Sequence, residues 1–225
     1  IYTLSLHDAL PIYELGRSLP ACLEIIEGAG LPCNALADAG RNLVIDEAGY
    51  RYLLGKPSDI PTLVSQGVAE LGLVGNDVTD ESDIRLTELL DTGRGRCYMA
   101  IAGPSNLAER FRGHASGLMG LRVATKYQNT ALRTFASWGV QIRVLFLNGS
   151  VELAPALGLS DCIFDIVQTG GTLKANGLDV IKRTADVSLR LVGDPCALQL
   201  RWKDLQKTVE AMKHFVEKIE KRSGA

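Results

Sequence analysis

The residues best suited to bind a ligand lie in one stretch, residues 161–178. There an apolar, strand-like run, CIFDIV, is followed by a turn in which Thr169 and Thr172 flank Gly170 and Gly171, and then by a helix-like pattern. Backbone N–H groups and hydroxyls at the start of a helix can bind a phosphate monoester without a lysine, and glycine lets the backbone approach the anion closely. We therefore predict that this turn is a phosphate-binding loop.

Asp165 belongs to the strand-like run and lies a few residues before that turn. Near the carboxyl end of a strand, its carboxylate can accept hydrogen bonds from two neighbouring hydroxyls of a sugar that carries the phosphate. A plain strand, turn and helix with an ordinary helix cap fits the same spacing equally well. The spacing alone therefore leaves both interpretations open.

These residues need a scaffold, and the pattern along the chain predicts one of the α/β class. From Ser18 onward, short β-rich runs alternate with helical stretches, which is typical of largely parallel strands covered on both faces. We expect Ser18 to cap the first helix and the first two strands to form a small antiparallel flap. The predicted strands are residues 42–45, 50–54, 71–74, 98–102, 121–124, 141–147, 162–167 and 187–192. Residues 1–12 are left out of this prediction because polar residues interrupt their apolar run.

The segment Asp-Thr-Gly-Arg-Gly-Arg, residues 91–96, interrupts the apolar rhythm and is the predicted hinge. We expect the strand-like run at residues 187–192 to return to the first lobe, so that two segments link the lobes. The prediction is a discontinuous first lobe, residues 1–92 with residues 183–225. The second lobe, residues 93–182, carries the phosphate-binding loop.

The composition narrows the class of protein. Lysine and arginine number 24 against 26 aspartates and glutamates, so the chain lacks the positive excess typical of nucleic-acid binders. No run approaches the roughly 18 consecutive apolar residues that a membrane helix needs, so we predict no membrane partner. The five cysteines include no CxxC pair, which favours reduced thiols and a cytoplasmic location over a disulfide framework. The three histidines show no metal-ligand spacing, so no metal held by protein ligands is expected.

A second motif precedes the loop and extends the pattern. It begins at Glu152, and the fixed positions that follow are Gly158, Ser160, Ile163, Asp165, Thr169, Gly170, Thr172 and Leu173. This spacing resembles the signature of the ATP phosphoribosyltransferases. The resemblance continues over residues 56–61, 67–78, 89–97 and 122–127.

The resemblance implies both a fold and a reaction. The family fold is an α/β architecture of two lobes with a double hinge, like that of the type II periplasmic binding proteins. A chain of this length resembles the short form, which has no C-terminal regulatory domain. The implied reaction condenses ATP with phosphoribosyl pyrophosphate to N-phosphoribosyl-ATP and pyrophosphate, the first step of histidine biosynthesis. The implied cofactor is Mg²⁺ bound through the substrate phosphates, and no covalent protein intermediate is expected.

The resemblance also implies roles for individual residues. The loop would bind the 5′-phosphate, while Glu152 and Asp165 would bind the ribose. Arg17 and Arg41 occupy the positions where the family presents cations to the pyrophosphate. The chain departs from the family at Leu15, where a lysine is usual before the Gly-Arg pair.

The tail of the chain carries an apolar seam with spacings of 4, 3, 4 and 3 residues, formed by Leu205, Val209, Met212, Val216 and Ile219. The seam fits either a helix packed on its own lobe or a subunit contact. The resemblance implies a homodimer and a separate regulatory subunit that resembles a histidyl-tRNA synthetase. The alternative function is a non-catalytic, two-lobed protein that binds a small anion or solute, because a fold alone does not fix an activity.

Overall fold

The computed structural model describes residues 9–14, 18–111 and 114–223, and these form an α/β architecture. The described strands are β1 (Ala9–Glu14), β2 (Val44–Glu47), β3 (Tyr50–Gly55), β4 (Leu71–Gly75), β5 (Thr87–Asp91), β6 (Cys97–Gly103), β7 (Arg122–Thr125), β8 (Arg143–Phe146), β9 (Cys162–Val167), β10 (Asp179–Val187) and β11 (Leu189–Gly193). The described α-helices are α1 (Leu19–Gly28), α2 (Asn34–Ala37), α3 (Ile60–Ser65), α4 (Asn76–Glu81), α5 (Ser105–Phe111), α6 (Gln128–Ser137), α7 (Leu153–Ala156), α8 (Gly171–Ala175) and α9 (Pro195–Ser223).

The chain divides into two compact units. The first unit continues up to Gly95 and resumes at Ser188, and the second unit spans Arg96–Val187. The chain therefore passes twice from one unit to the other. Strand β10 runs without a break to Val187, so the whole strand belongs to the second unit, whereas the predicted boundary fell after residue 182.

The first unit contains a six-stranded sheet in the order β2, β3, β1, β4, β11, β5. Strand β1 runs parallel to β3 and β4, and the other pairings are antiparallel. All five residues of β4 are buried. Gly72 of β4 allows α3 to pack closely, because a Cβ at this position would lie 2.9 Å from Cγ2 of Ile60.

This sheet corrects two expectations from the sequence. The strands were predicted to be largely parallel, but both sheets formed by the described residues are mixed. Residues 1–12 were left out of the prediction, yet Ala9–Glu14 form the strand that links β3 to β4. The polar residues that led to this exclusion, His7 and Asp8, precede the strand in the sequence and do not interrupt it.

The tail helix α9 packs against α1 and completes the core of the first unit. Leu205, Val209, Met212 and Val216 are no more than 5% exposed. The predicted apolar seam is therefore covered by the chain's own first unit, and the alternative of a subunit contact through these four residues is wrong. The helix begins at Pro195 and has one residue with non-helical dihedral angles, Arg201.

A close contact joins the two helices. A Cβ added at Gly28, the last residue of α1, would lie 2.0 Å from Cζ of the Phe215 ring. Glycine is therefore required here to let the aromatic ring of α9 approach the backbone of α1.

We expect Gly28→Ala to destabilise the protein by about 1–3 kcal/mol, the usual cost of overpacking. Alanine normally stabilises a helix by up to about 1 kcal/mol relative to glycine, so the sign of the change tests the contact. The measurement is the melting temperature of Gly28→Ala and of Gly28→Ala with Phe215→Leu, which should recover part of the loss. An unchanged or higher melting temperature for Gly28→Ala would contradict this packing.

The second unit contains a five-stranded sheet in the order β10, β6, β9, β7, β8. Strand β7 runs parallel to β8 and β9, and β6 is antiparallel to both β9 and β10. Buried side chains cover both faces of this sheet. One face packs around Phe135 of α6 and Phe164 of β9, and the other packs against α7 and α8.

Some smaller expectations are also decided by the structure. Ser18 occupies the N-cap position of α1, as predicted, but its side chain makes no cap hydrogen bond. The strand predicted at residues 187–192 corresponds mainly to β11. Its first residue, Val187, is instead the last residue of β10, and Ser188 separates the two strands. None of the five cysteines, all of which lie in the described ranges, forms a disulfide. Among the described helices, none combines the length and the apolar character that spanning a membrane would require.

Candidate functional site

The predicted phosphate-binding loop lies between β9 and α8, as the sequence indicates. Residues 168–170 form the turn, in which Gly170 has the left-handed φ of 74° that glycine adopts without strain. Thr169 and Thr172 are exposed, and Oγ1 of Thr169 lies 3.5 Å from the backbone N of Gly171. The buried Leu173 fixes α8 to the sheet. The loop therefore presents hydroxyls and backbone N–H groups from an anchored turn.

Asp165 lies on the face of the sheet that α7 and α8 cover. Side chains alternate along β9, and its neighbours two residues away, Ile163 and Val167, belong to the apolar cluster that includes Leu173 of α8. Asp165 is half-buried, and its Oδ1 accepts a hydrogen bond of 2.8 Å from the backbone N of Ile166. The carboxylate thus shares its face with the helix that follows the loop.

Glu152 immediately precedes α7, which packs on β9 from the same face. Its side chain is half-buried. Ser150, two residues earlier, has a φ of 51°, a left-handed conformation that costs energy for any residue other than glycine. Strained backbone is often found at functional sites. Glu152 occupies the cap position of α7 and makes no side-chain cap bond.

Arg122 and Asp161 anchor the chain between α7 and β9. Asp161 Oδ1 accepts from Nη2 of Arg122 at 2.8 Å, and Oδ2 accepts from the backbone N of Arg122 at 2.8 Å. Arg122 Nη1 also donates to the carbonyl O of Gly158 at 2.8 Å. The Arg122 guanidinium lowers the pKa of Asp161 below its ordinary value of 3.8, mainly through the side-chain hydrogen bond. This network holds the turn that leads from Glu152 to the strand of Asp165.

Because the pKa of Asp161 is lower in the folded state, the ionised carboxylate stabilises the fold at any pH above its ordinary pKa. This contribution is lost as the pH falls through the lowered pKa. We therefore expect Asp161→Asn to reduce the free energy of unfolding at pH 7 by up to about 1 kcal/mol, because the pair is partly exposed. The difference from wild type should shrink below pH 4 or so. Urea unfolding at pH 7 and pH 3 measures it.

Arg122→Gln provides the matched variant, because it removes the same ion pair from the other side. Its effect should resemble that of Asp161→Asn, and the double variant should add little to either single change. Additive losses, or a difference that does not depend on pH, would contradict the network.

The structure assigns the predicted residues to different units. Glu152, Asp165 and residues 169–172 belong to the second unit, on or beside one face of its sheet. Arg41 belongs to the first unit, where it is exposed between α2 and β2 and has no ion pair with any described residue. Arg17 and Leu15 lie outside the described residues.

One basic residue on the same face was not singled out from the sequence. The register pairs Arg183 of β10 with Ala100 of β6, and Ala100 with Asp165, so the three side chains share one face of the sheet. The Arg183 guanidinium lies 4.4 Å from the centre of the Tyr98 ring and forms an ion pair with Asp186. The sequence carries no local signal for this residue, because register shifts on both sides of Arg183 break the alternation of β10, and β10 was not predicted.

The donor set offers no ready metal site. Among residues 9–14, 18–111 and 114–223, no three His, Cys, Asp or Glu side chains come together as metal ligands would. The site's chemistry instead consists of hydroxyls, backbone N–H groups and carboxylates. Such groups suit a phosphorylated sugar, whose phosphate needs donors and whose hydroxyls need acceptors.

Comparison with known proteins agrees with this chemistry. The model of the HisG family, ATP phosphoribosyltransferase, matches residues 56–220. The ATP phosphoribosyltransferase of Lachnospira eligens is 37% identical over 206 residues, which cover 90% of this chain and 94% of that protein. The ATP phosphoribosyltransferase of Rubrobacter xylanophilus is 39% identical over 191 residues, which cover 85% and 88%.

Solved structures support the predicted fold class. The ATP phosphoribosyl transferase (HisG:HisZ) complex from Thermotoga maritima has a TM-score of 0.75 and 28% identity, and the match covers 92% of this chain and 98% of that one. The periplasmic aliphatic sulphonate binding protein SsuA from Escherichia coli has a TM-score of 0.60 at 13% identity, covering 96% and 75%. The second likeness concerns the fold alone and confirms the predicted periplasmic-binding-protein-like architecture. The family model and the curated relatives together establish that this chain belongs to the ATP phosphoribosyltransferase family.

Proposed function

We propose that this chain performs the reaction of its family with the residues named above. In this reaction, the first step of histidine biosynthesis, ATP and phosphoribosyl pyrophosphate give N-phosphoribosyl-ATP and pyrophosphate. Residues 169–172 bind the 5′-phosphate, and Glu152 and Asp165 bind the ribose hydroxyls. One observation carries the proposal. Asp165 lies in β9, and the exposed turn with its hydroxyls and glycines directly follows the same strand. Arg17 and Arg41 meet the pyrophosphate.

The chemistry of the reaction explains why these groups suffice. A ring nitrogen of ATP attacks the anomeric carbon of the ribose, the C–N bond forms, and the C–O bond to pyrophosphate breaks with its electron pair leaving on the pyrophosphate oxygen. The ribose gains oxocarbenium character and the leaving group gains negative charge. Orientation and cationic stabilisation therefore matter more than a protein nucleophile. Arginine suits the leaving group because its planar guanidinium pairs with phosphate oxygens in a bidentate manner.

Mg²⁺ fits this site through the substrate rather than through protein ligands. The described residues hold no cluster of three or more metal-ligating side chains, whereas pyrophosphate itself offers hard oxygens of the kind that Mg²⁺ prefers. When bound, Mg²⁺ neutralises charge on the pyrophosphate. The protein's own groups then orient the ribose and hold its 5′-phosphate.

The loop is tested by removing its hydroxyls. Thr169→Ala and Thr172→Val should each weaken the binding of phosphoribosyl pyrophosphate by roughly 1–3 kcal/mol, the range for a lost charge-assisted hydrogen bond. Asp165→Asn should lower affinity for the sugar and leave the binding of inorganic phosphate largely intact. Isothermal titration with phosphoribosyl pyrophosphate and with inorganic phosphate measures all three variants.

Thr172→Ser is the matched control, since it keeps the hydroxyl and removes only a methyl group. It should bind within about twofold of wild type, because the hydrogen bond is retained. Unchanged affinity for phosphoribosyl pyrophosphate in both Thr169→Ala and Thr172→Val would show that this turn does not bind the phosphate.

A non-catalytic anion binder of the same fold would differ in turnover. The reaction releases pyrophosphate and changes the ultraviolet absorbance of the adenine ring, so both signals should appear with ATP, phosphoribosyl pyrophosphate and Mg²⁺. Binding of phosphoribosyl pyrophosphate without either signal would favour the alternative.

We further propose that the chain forms a homodimer and works in the cytoplasm with a separate regulatory subunit. The support for a partner is the match to a complex described as HisG:HisZ, which covers 92% of this chain. The support for a reducing compartment is that none of the five cysteines, all described, forms a disulfide. A partner similar to a histidyl-tRNA synthetase has a pocket for histidine, so it supplies the sensor for feedback control.

We expect the purified chain to be active or weakly active and insensitive to histidine, and inhibition to appear when the partner is added. The measurement is pyrophosphate release at increasing histidine concentration, with and without the partner. Size-exclusion chromatography with light scattering checks the dimer. Inhibition of the chain alone at micromolar histidine would contradict this assignment.

A further inference from the structure

A carboxylate of β2, that of Glu47, caps the short helix in the segment that carries Arg41. We define the Arg41 loop as residues 32–43, which connect the end of the α1 region to β2 and include the one-turn helix α2. A helix of one turn consists only of ends, so most of its N–H groups lack partners within the helix. Groups outside the helix must therefore stabilise it.

Glu47 supplies that stabilisation from β2. Its Oε1 accepts a hydrogen bond of 3.1 Å from the backbone N of Asn34, and its Oε2 accepts one of 2.9 Å from the backbone N of Ala35. Cys33, at the ordinary cap position, makes no side-chain cap bond. A carboxylate is the most favourable group for this place, because the N-terminal end of a helix carries partial positive charge.

The Glu47 side chain is itself fixed by the sheet. Strand β2 pairs with β3 in an antiparallel hairpin, with Glu47 opposite Tyr50 and Ile45 opposite Tyr52. Ile45 and Tyr52 are buried in the first unit's core. The sheet therefore holds the Glu47 carboxylate in a fixed position. Through its two hydrogen bonds, Glu47 in turn fixes the start of α2, which lies 13 residues earlier in the sequence.

Two further contacts hold the start and the middle of the loop. The Tyr52 hydroxyl donates to the carbonyl O of Pro32 at 2.5 Å, and burial raises the pKa of Tyr52, so the hydroxyl stays protonated. Leu36 of α2 is only 3% exposed. These contacts hold the loop against the core but leave the N–H groups of Asn34 and Ala35 to Glu47.

A chain of backbone hydrogen bonds connects α2 to Arg41. The backbone N of Asp38 donates to Asn34 O at 3.3 Å, and that of Ala39 donates to Leu36 O at 3.3 Å. The backbone N of Asn42, the residue after Arg41, donates to Ala39 O at 2.9 Å. The Arg41 backbone is thus tied to α2 on its N-terminal side, while on its C-terminal side the carbonyl O of Leu43 accepts from the backbone N of Leu54 in β3 at 2.8 Å.

We propose that Glu47 is a positioning residue for catalysis, which acts by holding the Arg41 loop so that the Arg41 guanidinium reaches the leaving pyrophosphate. The inference rests on the function proposed above for Arg41. Arg41 is exposed and has no ion pair with a described residue, so its side chain has no anchor of its own there. Its placement depends on its backbone, and a shift of about 1 Å in a charged group can lower a rate by up to about 100-fold.

The test is a double-mutant cycle on kcat with ATP, phosphoribosyl pyrophosphate and Mg²⁺ in the full chain. Arg41→Leu should lower kcat by roughly 100-fold, the scale of one lost electrostatic donor. Glu47→Ala should lower kcat by about tenfold with a smaller change in KM, as expected for a misplaced group. In the Arg41→Leu background, Glu47→Ala should change kcat by less than about twofold, because no guanidinium remains to be positioned.

Two variants separate positioning from stability. Glu47→Gln keeps one acceptor oxygen and should give an intermediate kcat even if Glu47→Ala folds poorly. Arg51→Ala removes the exposed ion pair between Arg51 and Asp46 on the same hairpin and should leave kcat unchanged. Melting temperatures of all variants, measured alongside, show whether a loss of kcat follows a loss of folded protein.

The outcomes distinguish the inference from the function on which it rests. If Arg41→Leu leaves kcat unchanged, the role proposed for Arg41 is wrong and the inference fails with it. If Arg41→Leu lowers kcat while Glu47→Ala and Glu47→Gln do not, only the positioning role is overturned. Equal effects of Glu47→Ala in both backgrounds would also overturn it, because a general structural defect does not depend on Arg41.

Discussion

Three buried alanines set the distance at which helices pack on the sheet of the second unit. Ala100 and Ala102 of β6 and Ala124 of β7 are at most 1% exposed, and they lie beneath α7 and α8. Small side chains let a helix approach a sheet closely, and larger ones would force both helices outward. Because Glu152 precedes α7 and residues 169–172 lead into α8, the positions of both proposed ligand-binding segments depend on this packing.

The proposed site uses neutral groups to bind the 5′-phosphate and cations to bind the pyrophosphate, because the charge changes only on the pyrophosphate during the reaction. The 5′-phosphate carries the same charge in substrate and product, so groups that bind it contribute equally to ground state and transition state. Neutral hydroxyls and N–H groups, such as those at Thr169 and Thr172, are sufficient for that task. Charge grows on the leaving pyrophosphate, where a full cation, the role proposed for Arg41, would lower the barrier. The two kinds of group therefore act on different quantities, affinity and rate.

The sequence predicts the central motif of the site well because its signals are local. An apolar run, a glycine with positive φ and a helix start lie within a dozen residues, and β9 has the bounds predicted for it. Distant partners leave no such signal. The bonds from Glu47 to Asn34 and Ala35, and the pair Arg122 with Asp161, join residues 12 to 39 positions apart, so only the fold reveals them.

The missed elements have a related cause. The polar residues His7 and Asp8 lie directly before β1 and obscure its start in the sequence. Strand β10 is an edge strand whose mostly exposed residues resemble a loop in composition. The end of β10 and the start of β11 form one strand-like run in the sequence, residues 187–192, in which Ser188 and Arg190 alternate with apolar residues. The break there reflects a change of sheet, which is a property of the whole chain rather than of the local residues.

Strand β9 shows how the twofold periodicity of a strand separates packing from chemistry. Cys162 and Phe164 face one cluster, and burial raises the pKa of the Cys162 thiol to about 12, so the thiol stays protonated and unreactive. Asp165 faces the other side, where its carboxylate remains half-buried beside α8. A shift of one residue in the register of β9 would exchange these faces, moving the carboxylate into the cluster around Phe135 and the thiol to the side of α7 and α8. The site therefore depends on the register of one buried strand.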